Sequence, residues 1–137
     1  MKKFLLLTIL VFISGNAYSQ VAVIAHKNVP VDSVSKTQLL DFYSGDIKEW
    51  NNNRPVIVFD LKPRLEIRDR FFQFLGKSSS RMRSIWLKKV LAGEGDPPKA
   101  LESEEIVLKN VAKTPGSIGF IDKKFVNDSV KIIALIE

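Results

Sequence analysis

Two short apolar runs rich in β-branched residues, Val21–Ala25 and Val56–Phe59, constrain the fold more than any other feature. Runs of this length are typical of strands that are buried on both faces of a sheet. Between them, Ser35 and Gln38 have the spacing of a capping box, which predicts a helix that begins there and ends at Gly45. The order strand, helix, strand is typical of an α/β domain.

Apolar periodicity predicts three more helices after the second strand. The first has inward residues at i, i+4, i+7 and i+8, namely Ile67, Phe71, Phe74 and Leu75. The second follows the serines at 78–80 and turns inward Met82, Ile85, Trp86, Val90 and Leu91. The third opens near Ser103 and turns inward Val107, Leu108 and Val111.

Two late strands complete the pattern, at 118–121 and 130–136. Residues 47–53, which are rich in asparagine, are predicted to form a surface segment with several turns. The order β-α-β-α-α-α-β-β predicts a three-layer α/β domain with a mixed sheet flanked by helices.

Residues 1–19 have the pattern of a signal peptide. Two lysines precede a ten-residue apolar run that only Thr8 interrupts, and Ala17-Tyr18-Ser19 matches a cleavage site after Ser19. The alternative is a retained membrane anchor, but a span needs about 20 apolar residues. We therefore expect residues 20–137 to form one exported domain, periplasmic or secreted, that is soluble once the signal peptide is removed.

The chain has no cysteine and one histidine, His26, and these counts exclude several kinds of chemistry. Disulfide scaffolds, thiol nucleophiles and thiolate metal sites are ruled out. His26 ends the first predicted strand, where a local hydrogen bond is expected rather than catalysis. Glu104 and Glu105 are neighbours on a helix and point about 100° apart, so they cannot converge on one atom. We expect no catalytic residues, no metal, no cofactor and no enzymatic activity.

The charge of the chain does not indicate a nucleic-acid surface. Without the two lysines of the signal peptide, 19 basic residues stand against 15 acidic ones, a net charge of +4. The basic residues are dispersed and mixed with acids, whereas a nucleic-acid interface usually shows a stripe of one sign. We therefore expect no nucleic-acid partner.

A candidate anion site lies in the segment from Asp60 to Arg68, where the second strand leads into a helix. Free backbone N–H groups at a helix start favour anions. Arg64 and Arg68 are four residues apart and could add bidentate donors, which makes them the candidate ligand-binding residues. The alternative is that both pair with Glu66, Asp69 or other surface acids, since the loop lacks the glycine that lets a backbone approach a ligand.

The sequence resembles the periplasmic phosphate-binding-protein-like family, which includes the substrate-binding proteins of phosphate ABC transporters. The matching stretches are Tyr43-Ser44-Gly45-x-Ile47-x-x-Trp50, Arg68-x-x-Phe71, Leu75-Gly76-Lys77-Ser78, Gly93-x-Gly95-x-Pro97-Pro98 and Thr114-Pro115-Gly116-Ser117-Ile118-Gly119. The resemblance implies one lobe, the second, of a type II periplasmic binding protein, whose two lobes close on phosphate.

The resemblance also implies a degenerate phosphate motif. Where relatives have an arginine and a Ser-Gly-Thr, this chain has Leu61 and Leu65-Glu66-Ile67. Two functions follow as expectations: a non-enzymatic solute-binding protein whose partners are a small anion and a membrane transporter, or an interaction module for another periplasmic protein that has lost small-molecule binding. The oligomeric state is left open.

Export gives the first prediction. Mass spectrometry of the protein from the periplasm should find a chain that begins at Gln20, because cleavage is expected after Ser19. The intact chain in the cytoplasm would contradict the signal-peptide assignment.

Overall fold

The computed structural model describes residues 20–137, so the predicted signal peptide at 1–19 lies outside the described residues. Within that range the chain forms five strands and four α-helices. The strands are β1 (Val21–Ala25), β2 (Ile57–Leu61), β3 (Lys99–Leu101), β4 (Ser117–Asp122) and β5 (Lys131–Ile136). The helices are α1 (Lys36–Ser44), α2 (Glu66–Leu75), α3 (Ser79–Leu91) and α4 (Glu104–Lys113).

The strands form one mixed sheet in the order β3-β2-β4-β1-β5. β1 is antiparallel to both β4 and β5, whereas β2 is parallel to β3 and β4. The predicted α/β class and mixed sheet are therefore confirmed. The sequence did not predict β3, because three residues after a pair of prolines carry no strand periodicity and pair only through the tertiary contact with β2.

Two neighbouring residues of β4 show the predicted three layers. Successive side chains of a strand point to opposite faces. Gly119 faces α4, where a Cβ atom in its place would lie 2.6 Å from the Val107 Cγ1 atom. Phe120 faces the other side and stacks on Phe71 of α2, with ring centroids 4.1 Å apart. Helices therefore cover both faces of the sheet.

The helix ends agree closely with the sequence. Ser35 and Gln38 form the predicted capping box at the start of α1, and Gly45 ends that helix in the left-handed conformation. Ser78 caps α3 and Ser103 caps α4 through their side chains. These ends were predictable because capping depends on a few neighbouring residues.

Two expectations about burial are wrong. Trp50, in the predicted surface segment, is only 4% exposed, and its indole N–H donates to the Gly116 carbonyl at 2.9 Å. Conversely, Val90 and Leu91 of α3 are 44% and 79% exposed. Met82 is the only buried residue of that helix, and Ile85 and Trp86 are partly buried against the core, whereas no described element covers Val90 and Leu91. None of the helices within residues 20–137 is long and apolar enough to cross a membrane.

The close approach of α4 to β4 gives a prediction for the fold. Gly119→Ala should lower the free energy of unfolding by about 1–3 kcal/mol, because the new methyl group overpacks against Val107. Urea denaturation measures the change. In the double variant with Val107→Ala the loss should be less than the sum of the two single losses, since the smaller residue makes room. Simple additivity would contradict the proposed clash.

Candidate functional site

A cavity of about 390 Å³ lies beside β2 and β3, where Asp60 and Ala100 of these strands line it. β2 brings Asp60 to the base of the cavity, α2 brings Arg68, and α3 with the loop at 92–98 forms the walls. The lining residues are Tyr43, Asp60, Pro63, Arg68, Phe72, Ser79, Met82, Arg83, Trp86, Leu87, Val90, Pro97, Pro98 and Ala100.

A buried ion pair forms the base of this cavity. Arg68 donates from Nε to Asp60 Oδ1 at 3.1 Å and from Nη2 to Oδ2 at 3.2 Å, and the two side chains are 10% and 11% exposed. Arg68 Nη1 also donates to the Ser79 hydroxyl at 2.6 Å. The Arg68 guanidinium lies 4.5 Å from the centre of the Phe72 ring, a favourable cation–π distance. Arg68 therefore links β2 to the starts of α2 and α3.

The surroundings of Asp60 favour its neutral form more than water does. Burial raises the pKa of Asp60 above its usual range, although hydrogen bonds and charge from Arg68 and the Leu61 N–H oppose the shift. Burial also raises the pKa of Tyr43 well above its ordinary value, with the Asp60 charge adding to the effect. Tyr43 therefore stays protonated and donates to the Phe59 carbonyl at 2.9 Å.

The walls of the cavity are apolar, and Trp86 is shared with a neighbouring cavity of about 450 Å³. The Trp86 indole N–H donates to the Tyr43 carbonyl at 2.9 Å, which fixes the ring. Gly45 lies beneath it: a Cβ atom there would come within 2.5 Å of the Trp86 ring, and its φ of 77° also favours glycine. This helix-ending glycine thus also makes room for the aromatic wall.

The structure places the two predicted site residues against different partners. α2 begins at Glu66, so Arg64 precedes the helix and pairs at the surface with Glu102 at 2.9 Å. Arg68 lines the cavity, whereas Arg64 does not. Both arginines pair with acidic residues, as the alternative interpretation of the sequence expected. The partners are Glu102 for Arg64 and Asp60 for Arg68, and not the acids at 66 and 69. Ligand contact by either arginine stays a prediction.

The remaining titratable candidates have local partners. His26 Nδ1 accepts from the Asn28 N–H at 3.1 Å, the local bond expected from the sequence. Glu104 accepts from the Asp122 N–H at 2.6 Å, and Glu105 pairs with Lys109 at 3.1 Å, so the two carboxylates diverge. Residues 20–137 contain no group of three or more His, Cys, Asp or Glu that could hold a metal.

Arg68 is the only lining residue that was predicted as a ligand-binding residue, and the contributions of Asp60, Ser79, Arg83 and Trp86 to the cavity were missed. Asp60 gave a usable signal, since an acid that ends a buried strand must find a partner. Ser79 and Arg83 gave none, because their place at the cavity depends on how α3 packs.

Solved structures of phosphate-binding proteins share this fold. A protein from Clostridium perfringens assigned as a phosphate ABC transporter substrate-binding protein, with bound phosphate, matches at a TM-score of 0.70 and 22% identity, over 84% of this chain and 45% of that one. An ABC-type phosphate transport receptor from Vibrio cholerae matches at a TM-score of 0.67 and 20% identity, over 84% of this chain and 46% of that one. PstS from Borrelia burgdorferi matches at a TM-score of 0.61 and 14% identity, over 85% of this chain and 47% of that one.

The chain spans less than half the length of these proteins, so the fold is that of one lobe. The predicted resemblance is confirmed at the level of fold, and identities this low show the fold alone. No protein-family model matches the sequence, and a search of curated proteins found no match.

The buried ion pair gives a prediction about pH. Arg68→Met should lower the free energy of unfolding by about 3–5 kcal/mol near neutral pH, because it leaves Asp60 buried without its partner. The substitution also removes the groups that lower the pKa of Asp60, so that pKa should rise further. When folding raises the pKa of a carboxyl group, the native state is destabilised only at a pH where that group is ionised in the unfolded chain. For an aspartate this is above about pH 3.9.

The difference in the free energy of unfolding between wild type and Arg68→Met should therefore shrink as the pH falls from about 8 to 4. Urea denaturation across that pH range measures it. The double variant Asp60→Asn/Arg68→Met removes both charges and serves as the control, with most of the stability restored and the pH dependence lost. A deficit that grows towards low pH would contradict the assignment.

Proposed function

We propose that this chain is an exported, non-enzymatic binding protein whose ligand site is the cavity above the Asp60–Arg68 pair. The observation that carries the proposal is a cavity of about 390 Å³ with apolar walls and a small polar base formed by Asp60, Arg68 and Ser79. Small-molecule sites generally have this composition and a volume of roughly 300–1,000 Å³. A small anion beside Arg68 is the solute, and the protein delivers it to a membrane transporter.

Phosphate binding by a solved relative supports the solute-binding part of this proposal, but the base of the cavity differs from a strong phosphate site. Asp60 already takes two of the N–H donors of Arg68, and Glu66 and Asp69 add negative charge to the first turn of α2. An inorganic phosphate would have to compete with that carboxylate and overcome this repulsion. We therefore propose that phosphate itself binds weakly.

An interaction module is the second candidate, and the exposed apolar side chains of α3 favour it. Leu87, Val90 and Leu91 are exposed on this helix. Apolar side chains grouped on a surface are typical of protein contacts. In that case the α3 surface would bind a protein, and the cavity would hold no solute.

Native mass spectrometry of the protein purified from the periplasm separates the two candidates. A solute-binding protein should carry an adduct of a few hundred daltons or less that is lost on denaturation. An interaction module should show the bare chain mass in a complex or a dimer. A bare monomer that also binds no added solute would contradict both candidates.

Calorimetric titration with phosphate and sulfate tests the anion part of the proposal. Wild type should bind phosphate with a dissociation constant in the range of about 1 mM or weaker, equivalent to about −4 kcal/mol. Arg68→Ala should abolish the residual binding, and Arg68→Lys keeps the charge opposite Asp60 if the alanine variant fails to fold. Micromolar binding of phosphate would contradict the interpretation that the phosphate motif is degenerate. Binding that is unchanged in Arg68→Ala but lost in Arg64→Ala would place the anion at the surface before α2.

A further inference from the structure

The cavity has two chemically different ends. At its base, Arg68 meets Asp60 and Ser79, and above them the wall continues through Met82, Trp86, Leu87, Val90, Pro97 and Pro98. A ligand that fits must be polar at one end and apolar over the rest. Inorganic phosphate, which is polar on every side, would leave the apolar wall in water.

The base can still accept an anionic group. An arginine has five N–H donors, and the hydrogen bonds found among the described residues use three of those of Arg68. The Ser79 hydroxyl accepts from Arg68, so its own hydrogen remains able to donate. The Asp60 charge is balanced by Arg68, so the base is neutral and suits a singly charged group better than a dianion.

The mouth of the cavity supplies net positive charge. Arg83 lines it and forms no ion pair with any described residue. Lys48, Asp96 and Lys99 line the adjoining cavity across Trp86, and they add two positive charges against one negative. Electrostatic complementarity therefore favours an anion over a cation.

We propose that the ligand is an amphipathic organic monoanion, such as a medium-chain carboxylate, with its carboxylate at Arg68 and Ser79 and its apolar body along α3. This deepens the proposed function and depends on it, since it names the class of solute for the same cavity. Arg83 attracts the anion at the mouth. The apolar body covers Leu87 and Val90, which are otherwise exposed.

Trp86 provides the readout. It lines the cavity, whereas Trp50, the other tryptophan of the chain, is buried against the Gly116 carbonyl and does not line it. In the Trp50→Phe variant the fluorescence should therefore come from Trp86, which lines this cavity and the adjoining one, and the variants of α3 assign a change to this cavity. The fluorescence of the Trp50→Phe variant is titrated with decanoate, 1-decanol, decylammonium and inorganic phosphate, all below the concentration at which micelles form.

Decanoate should give a saturable change, and 1-decanol should bind at least about tenfold more weakly, because it lacks the charge-assisted hydrogen bonds to Arg68. Two matched pairs of α3 variants locate the site. Val90→Glu places a negative charge in the lining and should weaken decanoate about tenfold, whereas Leu91→Glu, outside the lining, should change it by less than about twofold. Arg83→Gln should weaken it, and Arg81→Gln should not.

Several results would overturn the proposal. These are equal binding of 1-decanol or decylammonium, tighter binding of phosphate, or equal effects within either matched pair. A retained adduct in native mass spectrometry that decanoate does not displace would leave the proposed function intact and refute the class of solute. The absence of both an adduct and any response to the four probes would refute the proposed function as well.

Discussion

The ion pair between Asp60 and Arg68 holds together the parts of the molecule that form the cavity. It joins β2 to α2, and through the Ser79 hydroxyl it extends to the start of α3. A buried pair of this kind contributes little net stability over apolar residues of the same volume, yet removal of one partner is costly. Its effect is to fix the positions of three elements and to leave a neutral polar surface at the base of an apolar cavity.

Much of the fold follows from local sequence. β1 and β2 are short apolar runs, and α1 begins and ends at residues whose capping geometry involves only near neighbours. The side of α4 that packs against the sheet followed from the spacing of Val107 and Val111, both of which are fully buried. In each case, interactions within a few residues of the chain agree with the tertiary structure.

The parts that sequence could not predict depend on distant contacts. Trp50 is buried because Gly116, 66 residues away, supplies an acceptor for its indole N–H. The stripe on α3 has helical periodicity but lacks a covering element among the described residues, so Val90 and Leu91 remain exposed. Arg68 was identified as a candidate from its spacing, but its partner Asp60 lies on another element, which helix periodicity does not reveal.

The order of the strands also has a consequence for folding. β1 comes first in the described chain, yet it lies between β4 and β5, and Val21 pairs with Ile136. Its backbone therefore has no sheet partner until almost the whole chain is present, and closure of so long a loop is slow. If the protein is exported as proposed, β1 can enter the sheet only after residues 117–136, which form β4 and β5, have crossed the membrane.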